Sequence, residues 1–253
     1  LFVCALGFFA ANLQRLIGEL QLGRTDDDRW NHLPTRFGNF LRIGIFQEKI
    51  FRDSIAGPMH AAIFWGFCIL TLGTIEFLIG GVVPGFSFQP YLLPPVYAFF
   101  ALNQDLWAAL VIGAVGMALF RRLTKRVKRL QGAETHPNDP LLILSWIASL
   151  MITMFAYEAF EMIAHPATMT PMLRPISYGV AMVFSWLSPS AASRLHDVAW
   201  WAHGLLVLGF LNYLPYSKHL HVVASLPNVF LSNTSGPGQK GVMPPMDQIG
   251  RAH

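Results

Sequence analysis

Five apolar stretches separated by polar segments set the pattern of this chain. They cover residues 1–18, 57–83, about 97–120, 141–164 and about 196–217. Crossing a hydrocarbon core of about 30 Å takes about 20 helical residues, so the pattern predicts an all-α, five-helix integral membrane bundle. The first stretch is short and lacks an initial Met. Its helix is therefore expected to start upstream, and it shows no small-residue cleavage site of a signal peptide.

The segments between the stretches carry their own expectations. PGFSFQPYLLPPV (84–96), rich in Pro and aromatics, suits an interfacial loop. ISYGVAMVFSWL (176–187) is too short to span and reads as an interfacial helix. FGNFLRIGIFQEKIF (37–51) reads as an amphipathic surface helix. Residues 1–231 then form the transmembrane domain, and the polar, Gly- and Pro-containing 232–253 a tail or linker. No internal repeat is evident.

Composition agrees with a membrane class. Only 13% of residues are charged and 53% are hydrophobic, against about 25% charged in soluble domains. Mean hydropathy is +0.44. Charge then orients the bundle. Arg24, Arg29, Arg36, Arg42, Lys49 and Arg52 lie between helices 1 and 2, and Arg121, Arg122, Lys125, Arg126, Lys128 and Arg129 follow helix 3. The other two loops hold only Arg174 and Arg194. The positive-inside rule places both basic loops in the cytoplasm, the N-terminus outside and the C-terminus inside. RRLTKRVKRL (121–130) is expected to lie on anionic lipid headgroups, and the net charge of +4 calls for no nucleic acid.

Two cysteines, Cys4 and Cys68, exclude a disulfide scaffold and a zinc site. An iron–sulfur cluster takes four cysteine-type ligands, so any cluster belongs to a partner or a missing domain.

Ionisable residues inside a membrane are costly and usually functional. Of nine histidines, His60, His203 and, nearer the end, His219 and His221 fall at helix depth. A b-type haem in a helix bundle takes two neutral imidazoles from opposite sides of the iron. His203 and His221 are eighteen residues apart, five whole turns of a straight helix and about 27 Å of rise. They would share one face with His196, while His219 would point about 160° away; a kink at Pro215 would re-aim the residues beyond it. His60 at the entrance of helix 2 and His221 at the exit of helix 5 lie at similar depth. An inner haem b between them is expected, with His203 too far out to share that iron.

Other polar groups gather with His203 on the outer side. Glu76 ends helix 2, and Glu158 and Glu161 end helix 4 three residues apart. They are candidate proton partners for a quinone.

Helix 4 opens with DPLLILS (139–145), and helix 5 reads AHGLLVLGFLNYLPYSKHLHVVASLP (202–227). These segments resemble the membrane cytochrome b, or gamma subunit, of respiratory nitrate reductase. WGFCILTLGT (65–74) and LPYSKHLHVVASLPNVF (214–230) are more similar to the membrane domain of heterodisulfide-reductase-like iron–sulfur oxidoreductases, including quinone oxidoreductases linked to electron-transfer flavoprotein. The resemblance implies inner-haem ligands at His60 and His221 and an outer-haem ligand at His203. It departs on helix 2, where Leu70 stands at the position of the nitrate reductase pattern's second histidine. A second haem would need another ligand, such as His165, Met154 or, eight residues after His60, Cys68; otherwise His203 belongs to a quinone pocket. Both alternatives stay open in the sequence.

The resemblance thus implies a cytochrome b of a bacterial or archaeal cytoplasmic membrane. It would exchange electrons between menaquinone or ubiquinone and a cytoplasmic iron–sulfur or flavin partner, such as electron-transfer flavoprotein. A proton or ion transporter using the intramembrane His and Glu, or a cofactor-free anchor, are the competing readings.

Overall fold

The computed structural model describes residues 1–21, 30–124, 139–168, 171–217, 220–232 and 234. Among these, the chain is helical throughout: α1 (Phe2–Gln21), α2 (Leu33–Asn39), α3 (Ala56–Val82), α4 (Pro94–Thr124), α5 (Asp139–Ala164), α6 (Pro175–Val183), α7 (Pro189–Tyr213) and α8 (His221–Phe230).

Four helices are long and apolar enough to cross a membrane: Ala56–Val82, Pro94–Thr124, Asp139–Ala164 and Pro189–Tyr216. They overlap the expected second to fifth spans, most ends lying within four residues of expectation and the fifth span starting seven residues early, where capping chemistry rather than hydropathy sets the start. Asp53 Oδ1 accepts from the amides of Ile55 and Ala56 at 3.0 and 2.8 Å and so starts α3. Ser188 accepts from the Ala191 amide at 3.3 Å to start α7. The expected first span forms a helix of 20 residues, but it is not among the four, because Asn12, Gln14, Arg15 and Glu19 interrupt its apolar run.

The core lies between α3, α4 and α5, where Leu70, Ala108, Val111, Val115, Met151, Met154 and Phe155 cluster. The most extensive helix contact joins α5 to α7. Gly66 lets α3 approach α4, since a Cβ there would run into Val111 Cγ2. Outward faces stay apolar: Phe67, Leu72, Leu106, Leu110, Ile152 and Leu205 are all exposed. A helix apolar on every side is a lipid-facing helix.

Three expectations change. The straight helix carrying both His203 and His221 does not form. Pro215 has no amide hydrogen to donate, and α7 gives way to a 3-10 turn over Leu214–Tyr216 before α8 starts at His221. The surface helix expected over 37–51 is instead α2, a π-helical turn over Phe40–Ile45 and a 3-10 turn over Ile50–Arg52. The short helix expected over 176–187 is α6, ending at Val183. The basic run from Lys125 and nearly all of the 232–253 tail lie outside the described residues.

Arg36, among the largest fully buried side chains, ties the first half to the last. Its guanidinium donates to the carbonyls of Asn31, Phe230 and Ser232 at 2.6, 3.1 and 2.6 Å. It thereby satisfies carbonyls left unpaired at the C-terminal end of α8. Gly57, whose missing Cβ leaves room for the carbonyl of Ile50, packs the 3-10 turn against the start of α3. These contacts bring α8 to the first turns of α3.

Candidate functional site: a histidine pair and a titratable cavity

At the start of α3, the His60 ring faces the His221 ring from the start of α8. Their centroids are 6.4 Å apart, with ring planes inclined by 36°. The break at Pro215 turns α8 so that His221 meets α3. Nearby, Trp65 donates to the Ile45 carbonyl at 2.8 Å and packs against Phe51, pinning the π-helical turn to α3. His219 lies outside the described residues.

A second constellation sits sixteen to seventeen residues further along α3, about 25 Å from His60 at 1.5 Å per residue. His203 on α7 is buried, and its ring packs edge-on against Phe77 of α3 (4.9 Å) and Tyr157 of α5 (5.3 Å). His203 Nδ1 lies 3.1 Å from the Leu150 carbonyl and 3.0 Å from Thr153 Oγ1. A carbonyl can only accept, so Nδ1 carries the proton and Nε2 keeps its lone pair. His60 and His203 are thus in separate sites.

His203 borders a cavity of about 540 Å3 between α3, α4, α5 and α7. Glu76, Glu158, Glu161 and His196 line it, as do Leu70 and Met154. Each carboxylate has different partners. Glu76 Oε1 accepts from Ser87 Oγ and the Phe88 amide, both at 2.7 Å, and anchors the turn between α3 and α4. Glu158 pairs with Arg174 at 2.6 Å, both side chains being largely buried. Glu161 lies between two imidazoles, with His165 Nδ1 at 3.1 Å from one oxygen and His196 Nδ1 at 3.6 Å from the other. His196 Nδ1 also lies 3.0 Å from the Tyr157 carbonyl. A second cavity of about 430 Å3 shares Tyr97, Glu158, Glu161 and Arg174 with the first and reaches Gln89, Ala167 and Leu173 in the loops.

Arg174 is the largest addition to the site, since in the sequence it is only a lone loop charge. Burial works to lower its pKa, but the Glu158 carboxylate and the Tyr157 and Tyr97 hydroxyls outweigh burial and hold the guanidinium above its ordinary value. It stays charged and fixes Glu158. Asp105 and Gln104 are the other additions. Asp105 is fully buried and accepts from the Ile176 amide, the Ser177 amide and Ser177 Oγ at 2.6, 3.1 and 2.5 Å, capping α6 from another helix. Gln104 donates to the Ile69 carbonyl at 2.8 Å and lines the cavity. The sequence carries a signal for both: adjacent polar residues inside an apolar helix.

The remaining candidates do not join the cavity. Cys68 is exposed on the outer face of α3. His165 is 59% exposed and lies beyond the His203 cavity's lining, so of the suggested second ligands Met154 alone shares a cavity with His203. No group of three or more His, Cys, Asp or Glu side chains poised to hold a bare metal ion occurs among the described residues.

Fold and sites together define a helical membrane protein with a histidine pair near one end of α3 and a titratable cavity toward the other. Two curated proteins are similar to it. One is the probable iron-sulfur-binding oxidoreductase FadF of Bacillus subtilis (strain 168), 33% identical over 193 residues, which are 76% of this chain and 26% of that protein. The other is the EtfAB:quinone oxidoreductase of Syntrophomonas wolfei subsp. wolfei (strain DSM 2245B / Goettingen), 25% identical over 217 residues, 82% of this chain and 29% of that protein. The chain thus spans between a quarter and a third of the length of these relatives. No family model matches it, and no solved structure is similar to it.

Proposed function

We propose that this chain is the membrane part of a quinone-linked oxidoreductase, passing electrons between a membrane quinone and a cytoplasmic iron–sulfur or flavin partner, and that it holds one haem b between His60 and His221. The His60–His221 pair carries the reading. Two imidazole nitrogens on opposite sides of one metal ion, each at about 2 Å, put their ring centres about 6 Å apart. The 6.4 Å separation suits that arrangement, and both ligands come from different helices, as a bundle haem needs. A haem supplies reversible one-electron exchange, its potential set by ligands and surroundings.

The His203 cavity is the quinone site in this reading. Its aromatic and aliphatic walls, among them Phe77, Phe100 and Trp200, suit a flat ring, and its polar groups converge on the same space. His203 offers Nε2 to a quinol hydroxyl, while the Leu150 carbonyl and Thr153 hold its ring in place. Leu70 lines the same cavity and cannot bind iron, so one haem rather than two fits these residues. The names of the two relatives support oxidoreductase and quinone chemistry, and EtfAB in one of them suggests electron-transfer flavoprotein as the flavin partner. Two cysteines are too few for a cluster, so the iron–sulfur group lies in a partner or in further domains.

The positive-inside rule orients the molecule. Both basic loops face the cytoplasm, with the His60–His221 end; the cavity faces the outer side, and α1 serves as a fifth span. The test is an anaerobic addition of a short-chain naphthoquinol to the purified full chain. The haem band of the wild type should become reduced. His203→Ala should lose that reduction while dithionite still reduces its band. A wild-type band that never responds to the quinol would contradict the proposal.

A further inference from the structure

Three carboxylates border the cavity, and their partners rank them. Glu76 is engaged by a hydroxyl and an amide that hold a turn. Glu158 is held by a permanently charged guanidinium. Glu161 instead faces two titratable rings, one on each oxygen. Exposure falls along this row, from 59% for His165 through 39% for Glu161 to 23% for His196. Glu161 also lines both cavities, the one bordered by His203 and the one reaching the loops.

We infer that His196, Glu161 and His165 form the proton relay between the cavity and the aqueous surface, with Glu161 as its central carrier. The inference deepens the quinone reading and rests on it. The Tyr157 carbonyl accepts from His196 Nδ1, which leaves Nε2 of that ring basic. A quinol in the cavity gives its two electrons, one at a time, to a one-electron acceptor of the oxidoreductase, a haem or an iron–sulfur cluster. Its two hydroxyl protons leave separately. His196 takes each at Nε2 and releases its Nδ1 proton, held by the Tyr157 carbonyl at rest, through one water to Glu161 3.6 Å away, and tautomer exchange resets the ring. Glu161 hands the proton to His165 or directly to water. The acceptor passes the first electron on before it takes the second, so the products are one quinone, two protons outside and two electrons delivered singly through the acceptor to the rest of the oxidoreductase. Quinone reduction runs the same row backwards.

Glu161→Gln keeps the shape of the side chain but removes its capacity to carry a proton. The experiment compares this variant with the wild-type full chain in two ways: stopped-flow reduction of the haem band by a short-chain naphthoquinol, and binding of the matching naphthoquinone by quenching of tryptophan fluorescence, Trp200 being part of the cavity wall. The expected result is reduction slowed about tenfold or more, with naphthoquinone affinity unchanged, and restored by added imidazole buffer or by Glu161→Asp. A variant as fast as wild type, or a slow one that neither imidazole nor Asp restores, would overturn the relay while leaving the quinone site standing. A wild type that binds no naphthoquinone would overturn the quinone reading and the relay with it.

Discussion

Arg174 and Glu158 show what a single pair does in this bundle. Both side chains are 17% exposed and 2.6 Å apart. Removing one partner of a buried pair leaves an uncompensated charge and costs about 3–5 kcal/mol. Arg174→Ala should therefore lower the melting temperature in detergent well below wild type, and adding Glu158→Gln should recover part of the loss. Equal losses in the single and double variants would mean that the pair is not coupled. The pH dependence has a definite sign. A group whose pKa rises on folding contributes fully below its unfolded value and loses its contribution only as pH rises through the folded one. Arg174 is such a group, so its share of stability should stay undiminished at every pH below the ordinary arginine range. Much of this site is legible residue by residue, because a carboxylate or imidazole in an apolar stretch stands out. Glu76, Glu158, Glu161, His196 and His203 are visible in that way, and the fold brings all five to one cavity. Their partners are not visible. Ser87, Phe88 and Arg174 sit in loops, and which loop reaches which carboxylate depends on tertiary packing alone.

Helices are easier to read than their joints. Hydropathy locates the four long spans, with every end but the start of the last within four residues, since lipid demands both length and apolarity. The joint at Pro215 defeats straight-helix geometry, and it is the bend there that brings His221 to His60. The surface segment 33–52 is broken into α2, a π-helical turn and a 3-10 turn, because it must follow α8 on one side and the start of α3 on the other. Helix spacing gives a direct prediction. Gly66→Ala would push its new methyl into Val111 and separate α3 from α4. Overpacking of this kind costs about 1–3 kcal/mol. Thermal unfolding should show that loss, and Val111→Ala in the same chain should restore most of it. No rescue would mean that the two helices are not held at this distance by Gly66.

At the scale of the whole molecule, the bundle separates two sites along one helix. The histidine pair lies at the start of α3 and the cavity about 25 Å further on, and in the proposed function this separation lets electrons and protons leave toward different sides of a membrane. That separation follows from the depth of His60, His203 and His221 in their apolar stretches, which sequence alone displays. The distance between His60 and His221 does not follow from it and is the structural result on which the proposed function stands. The most direct test is to purify the full chain after haem-replete expression and count haem per chain by absorbance, for the wild type, His60→Ala and His221→Ala. One b-type haem in the wild type, lost in each variant while the variants still fold as helical membrane proteins, is the predicted result. A wild type without haem, or either variant retaining its full complement, would contradict the His60–His221 site.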